Sequence, residues 1–177
     1  MRRYAYVGPP GTLAASAGKE RGDLVLRAHD VRAWALRTDQ VPNDEGLIRA
    51  TYTLDAEWAL RVADYGCEHV ACAGGGPVLA AGVAWFEVAP LSVTVVRIDN
   101  HSTGFCPEPA CWPALERVLD AAGIGRPAGF TKALVFRRCA CGQRNVVHDD
   151  HFVCAVCDGP LPAEWNLGDP ERTEAAG

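Results

Sequence analysis

Four cysteines near the C-terminus constrain this chain more than any other feature. Cys139 and Cys141 stand in a Cys-x-Cys-Gly turn, and Cys154 and Cys157 stand in a Cys-x-x-Cys-Asp-Gly turn, with twelve residues between Cys141 and Cys154. Each half is a tight turn that aims two sulfurs at one centre. Gly142 and Gly159, beside the second cysteine of each pair, leave room for backbone N–H groups to face the thiolates. The stretch between the pairs reads as a hairpin: Arg144 to Val147, a turn at Asp149-Asp150, then Phe152-Val153. Four thiolates in tetrahedral array leave no open position, which describes a structural rather than a catalytic zinc site. Binding such an ion contributes ~10–16 kcal/mol, enough to fold a short segment with little core. The same residues could hold iron in the same geometry, or form two disulfides. Eight cysteines in a chain without a visible secretory signal favour metal over disulfides. The expected unit is a zinc ribbon over 137–163, with zinc as its cofactor.

The rest of the chain sets the frame for the ribbon. Its 177 residues suit one domain plus a small appendage, and 49% hydrophobic with 22% charged residues is ordinary for a globular protein. No run of ~18 apolar residues is present, so no membrane span is expected. Gly8-Pro9-Pro10-Gly11 interrupts any signal-like apolar run after Arg2 and Arg3, and a cytoplasmic location follows as an expectation. A net charge of -5 argues against a surface devoted to nucleic acid. The charge is uneven, however. Arg126, Lys132, Arg137, Arg138 and Arg144 fall in a stretch without acids, whereas 145–177 is acidic. The basic run is either a solvated face or a local anionic contact near the metal.

Periodicity predicts an α+β domain over 1–136, built on an antiparallel sheet with two helices. Tyr4 to Val7 and Leu24 to Leu26 read as short strands, with a loop over 11–23 between them. Asp30 is placed to cap a helix carrying Val31, Trp34 and Ala35. Ile48, Ala50, Tyr52 and Leu54 alternate with Arg49, Thr51 and Thr53, and a short Asp55-Ala56 link leads to Trp58, Leu60 and Val62: a hairpin with one buried face. Val83–Val88 and Val93–Ile98 predict a second hairpin. Pro113, then Leu115, Val118, Leu119 and Ala122 on one face, then Gly123, mark a helix with both ends legible. The expected core includes Trp34, Ile48, Tyr52, Trp58, Leu60, Phe86, Val96, Leu115 and Leu119. The acidic segment 164–177 is expected to be a flexible tail.

Two polar segments sit among apolar neighbours: Glu68-His69 through Gly74-Gly75-Gly76-Pro77, and Asp99-Asn100-His101-Ser102 through Phe105-Cys106-Pro107. Read as residues alone, His69 at a strand end suits a structural role as well as a functional one, and Ser102 suits a turn cap. Cys67 with Cys72 and Cys106 with Cys111 repeat a Cys-x4-Cys spacing. That spacing fits a second metal site, a thiol nucleophile beside His69, or small core residues.

The motifs resemble a domain found at the C-termini of some bacterial polymorphic toxins and in plant calmodulin-binding proteins with an IQ motif. That pattern runs His-Ser-Ser-Phe-Leu-Ala-Gly, Ala-Ala-Gly-Glu, a strand, then Ser-Gly-His-Tyr-x-Pro. His69, Ala73 and Gly74 match the first part, Ala80, Ala81 and Gly82 the second, and Ser102, Phe105 and Pro107 the third. Val83 stands in place of the pattern's Glu and Gly104 in place of its His. The resemblance covers about 47–125 and implies a shared fold and pocket.

Three functional expectations follow. In the first, the chain is a binding or adaptor module for a protein partner. In the second, it is a transferase-like or hydrolase-like enzyme with a pocket formed by His69, Asn100 and Ser102, lined by Gly74, Gly75 and Phe105. The third is nucleic-acid contact through Arg137, Arg138 and Arg144.

Overall fold

A computed structural model of the chain describes residues 1–168. Five antiparallel strands form the main sheet in the order β1-β3-β2-β4-β5: β1 (Asp23–Val25), β2 (Leu47–Asp55), β3 (Leu60–Asp64), β4 (Val78–Val88) and β5 (Val93–Ile98). Four α-helices accompany it: α1 (Pro10–Ser16), α2 (Ala28–Arg37), α3 (His69–Cys72) and α4 (Trp112–Ala121). A two-stranded hairpin of β6 (Val135–Arg138) and β7 (Arg144–Val147) follows. The class is α+β, as the periodicity predicts, with two short helices beyond the two expected. Among the described residues, no helix is long and apolar enough to cross a membrane.

The sheet is covered on both faces. Ile48, Tyr52, Leu60, Phe86 and Ile98 supply the main core together with Val31 and Trp34 of α2 and Leu115 and Leu119 of α4. These two helices meet where the Ala28 N–H donates to Ala122 O at 2.8 Å. Gly123 ends α4 in the left-handed region (φ 67) that a glycine adopts without strain. On the opposite face α3 lies over Thr51 and Thr53, which are both buried. Thr51 Oγ1 donates to Cys67 O (3.2 Å), and Thr53 Oγ1 points to Cys72 Sγ (3.4 Å). The alternation in β2 therefore marks two buried faces, not one: the threonines are admitted because Cys67 O, just before α3, and Cys72 Sγ, within it, meet their hydroxyls.

Several local expectations change. Residues 10–16 form α1 instead of a loop, started by Pro10 in the first turn. Asp30 lies inside α2, not before it. Its carboxylate accepts the backbone N–H groups of Leu26 and Arg27, both at 2.8 Å, which caps the helix from its third residue. Val96 is 41% exposed, because β4 and β5 slip register between Trp85 and Phe86, leaving Val96 opposite no residue. Segment 164–168 is not a loose tail: Leu167 is fully buried, and Trp165 Nε1 donates to Cys106 O at 2.9 Å. The remaining acidic stretch, 169–177, lies outside the described residues.

Trp58 is the largest correction. The strand ends at Asp55, so Trp58 falls in the connecting turn, where it is 39% exposed with φ 68. Asp55 Oδ1 accepts Glu57 N–H and Ala59 N–H, and Asp55 O accepts Trp58 N–H, which fixes the turn. A left-handed residue with a Cβ costs roughly 1–2 kcal/mol. Trp58→Gly should relieve that strain while losing partial packing against Arg117. We expect a net change within about 1 kcal/mol by chemical denaturation. A loss above about 3 kcal/mol would show that the tryptophan is a core residue after all.

Candidate functional site

The ribbon is built from three short pieces of chain. Residues 139–142 close on themselves through Gly142 N–H to Cys139 O (2.8 Å), with Gly142 at φ 90. Residues 154–159 do the same through Asp158 N–H to Cys154 O (3.1 Å) and Cys154 N–H to Gly159 O (2.8 Å). The β6–β7 hairpin holds the two turns face to face. The thiol sulfurs of Cys139, Cys141, Cys154 and Cys157 all lie within 4.8 Å of one another. Cys139 and Cys157 are 3.5 Å apart, and Cys141 and Cys154 are 3.8 Å apart. A tetrahedron with ~2.3 Å metal–sulfur bonds has edges of about 3.8 Å, so the donor set fits one ion. Both distances are far beyond the ~2.05 Å of a disulfide.

The surroundings favour thiolate over thiol. Backbone N–H groups of Val156 and Cys157, with the Asn145 amide, pull Cys154 down to about 6 against the cost of burial. Gly159 N–H acts in the same direction on Cys157, but the three neighbouring thiols outweigh it and push Cys157 up to about 12. Four sulfurs this close cannot all ionise without a cation among them. Asn145 was not singled out by sequence. Its Nδ2 points at Cys154 Sγ (3.5 Å) while its Oδ1 accepts Ala155 N–H (3.0 Å), so it orients one ligand and braces its turn. Its only sequence signal is a polar residue in the middle of a strand.

The ribbon is clamped to the sheet domain. Phe136, Leu134, Cys106 and Leu167 form a small shared core. Arg137, only 5% exposed, donates to Glu108 (2.7 Å) and to the carbonyls of Phe136, Pro162 and Ala163. The basic run is therefore not a free strip of charge. Arg137 is internal, and Arg144 donates to Thr103 O at 2.6 Å.

The His69 and Ser102 segments converge on one crossing of chain. His69 Nε2 donates to Gly82 O at 3.0 Å. A Cβ on Gly82 would sit 2.1 Å from Asp99 O, so only glycine lets β4 pass the start of the second segment. Asp99 Oδ1 accepts Val83 N–H and His101 N–H, each at 2.9 Å, and Asp99 O accepts the Tyr52 hydroxyl at 2.8 Å. The three segments that carry the resemblance thus meet around Gly82.

Their side chains are held by protein. Asn100 is 0% exposed and donates to Pro107 O (2.8 Å) and Leu134 O (2.7 Å), while accepting Leu134 N–H (2.7 Å). Ser102, also fully buried, accepts Phe105 N–H at 3.3 Å. Phe105 is a core residue set edge-on to Tyr6. Gly74 and Gly75 adopt φ of 70 and 82, and a Cβ on Gly74 would meet Arg21. At Gly104 a Cβ would meet the Tyr6 ring at 2.6 Å, so the space that a histidine would need is filled. Burial pushes the thiols of Cys72 and Cys111 up to about 12, and that of Cys106 upward, which disfavours a thiolate nucleophile. Among the described residues, the ribbon cysteines are the only group that gathers as metal ligands.

No family model, no curated protein and no solved structure matches this chain. Function must be read from the geometry.

Burial lowers the His69 pKa below its ordinary value, against the opposing pull of the Gly82 carbonyl. The folded protein therefore holds His69 neutral where the unfolded chain, titrating near 6.5, takes up a proton. Stability from this residue is present above about pH 6.5 and is lost as pH falls toward the folded pKa. His69→Gln should flatten that part of the stability–pH curve. An unchanged slope between wild type and variant would remove His69 from the account.

Proposed function

We propose that this protein is a zinc-stapled binding module that acts as an adaptor for a protein partner in a reducing, cytoplasmic compartment. The carrying observation is the closed donor set: four thiol sulfurs within 4.8 Å, oriented by backbone N–H groups and Asn145. Zinc is the metal for which such a closed set is the ordinary structural solution. Elemental analysis of the purified chain should give one zinc per molecule. Iron in its place, or zinc retained by a Cys154→Ser, Cys157→Ser double variant, would overturn this assignment.

The adaptor reading rests on which faces of the ribbon are already occupied. One face of its hairpin packs on the sheet domain through Phe136 and Arg144, and Arg137 on the other face is tied to Glu108 and to the carbonyls of Pro162 and Ala163. Its outer face presents Val156, 69% exposed between two ligand cysteines, and the hairpin tip Asp149-Asp150 with φ of 49 and 55. A charged turn beside an exposed apolar knuckle suits a protein contact. Val156→Asp leaves the metal ligands and the core untouched. Proteins captured by the wild type and lost by this variant would mark the surface, and identical capture by both would refute it.

The resemblance to the polymorphic-toxin and IQ-motif family belongs to the same reading. What supports it is the meeting of its three segments around Gly82. The enzyme reading has less support, because Asn100 and Ser102 are buried and committed to backbone partners. The nucleic-acid reading has less still, because Arg137 is internal.

A further inference from the structure

Trp58 stands where its residue type is least suited. It lies in the β2–β3 turn at φ 68, a region that glycine or asparagine enters readily and a bulky side chain does not. Burial does not offset that conformation, because the ring is 39% exposed and lies outside the main core. Backbone strain that packing does not explain collects at binding sites and ligand clamps.

The ring forms one wall of a cavity of about 270 Å³, and Arg117, Val118 and Ala121 of α4 form the rest. Arg117 and Ala121 are exposed and Val118 is half-buried, so the cavity is open to solvent. Among the described residues no carboxylate lines it. One water takes up about 30 Å³ in the liquid, so the space equals roughly nine waters. That is below the ~300–1,000 Å³ of pockets for drug-sized ligands, and admits one apolar side chain with the group beside it.

A single cation borders this apolar space. Arg117 Cζ lies 5.1 Å from the centre of the Trp58 ring. The acids of α4, Glu116 and Asp120, are both taken by Arg126 at 2.8 Å. Among the described residues Arg117 forms no ion pair. An exposed indole beside an unanswered guanidinium offers contacts to an apolar group joined to an anion.

We propose that this cavity docks the C-terminal residue of a protein partner, its apolar side chain against Trp58, Val118 and Ala121 and its carboxylate on Arg117. A chain end is where one residue carries an apolar side chain and a carboxylate on the same Cα. An internal segment needs two neighbouring residues to supply that pair, and the space is too small for both. Capture of a terminal carboxylate is a recurring mode of peptide recognition. The inference rests on the adaptor reading only in taking a protein as the partner. Val156 does not line the cavity, so the two surfaces can be tested apart.

The test titrates the metal-loaded full chain with the peptide acetyl-Gly-Ser-Gly-Leu bearing a free C-terminal carboxylate. The readouts are the Trp58 indole N–H and the Val118 methyl resonances. Saturable shifts at both are expected, and the C-terminal amide of the same peptide should bind at least ten-fold more weakly. Hexanoate keeps an apolar chain and a carboxylate without a peptide. It should bind more weakly than the free-acid peptide, because a flexible chain pays more ordering entropy. Arg117→Gln loses no ion pair, so its melting temperature should match the wild type while its affinity falls at least ten-fold. Trp58→Gly, followed at the Val118 methyls, should lose affinity in the same way, and Val156→Asp should keep it. No saturable shift, equal affinity for the amide, or undiminished affinity in Arg117→Gln overturns the proposal. Hexanoate binding as tightly as the peptide also overturns it, by making a free small acid the occupant.

Discussion

Removing the metal with a chelator should unfold 139–161 and leave the five-stranded sheet intact. The ribbon's own buried cluster is only Cys139, Cys154 and Leu161, with Val147 and Phe152 packed against it. So small a core cannot offset the conformational entropy of more than twenty residues, which costs ~1–2 kcal/mol each for the backbone alone. The ion's ~10–16 kcal/mol is the term that closes the balance. The sheet domain has its own core and does not use the metal. Backbone amide spectra should therefore lose dispersion for the ribbon on chelation, while the signals of β2 and β4 stay in place. Trp165 reports the boundary, because its ring packs edge-on to Tyr4 and its N–H reaches Cys106 O. Dispersed ribbon signals in metal-free protein would show that the cysteines are not its staple.

How much of this was legible in the sequence depended on how local each determinant is. The ribbon was legible because its ligands repeat a fixed spacing and each knuckle closes within six residues. The second helix of the expected pair was legible for the same reason: Pro113 and Gly123 mark its ends within the segment itself. Trp58 was misplaced because its alternation with Leu60 and Val62 looks like a strand. The side chain of Asp55 instead captures two backbone N–H groups and turns the chain early. Arg137 looked like part of a surface run. What buries it is Glu108, 29 residues away in sequence, together with the carbonyls of 162 and 163. The buried face of Thr51 and Thr53 depended in the same way on a four-residue helix that periodicity cannot register.

Asn100 is the sharpest case, and replacing it should be among the most damaging single changes in the sheet domain. Its amide acts as a piece of strand. One end pairs with Leu134 in both directions, and the remaining donor holds Pro107 O, so one side chain closes the 101–107 loop and fastens the chain entering the ribbon. Asn100→Ala leaves two carbonyls and one N–H buried without partners, at about 1–3 kcal/mol each. Partial entry of water lowers the sum, and we expect a loss of about 3–6 kcal/mol. Asn100→Asp keeps the shape but turns a donor into a second acceptor facing two carbonyl oxygens. Its folded pKa must rise above the ~3.9 of the unfolded chain, so its stability falls as pH climbs through that value and improves again in acid, where the protonated oxygen can donate. Denaturant titrations of both variants at pH 4 and pH 7 separate the two roles that sequence allows for this residue. A catalytic asparagine would leave the midpoints near the wild type at both pH values. The bonding seen here requires both variants to fall at pH 7, and only Asn100→Asp to recover part of its loss at pH 4.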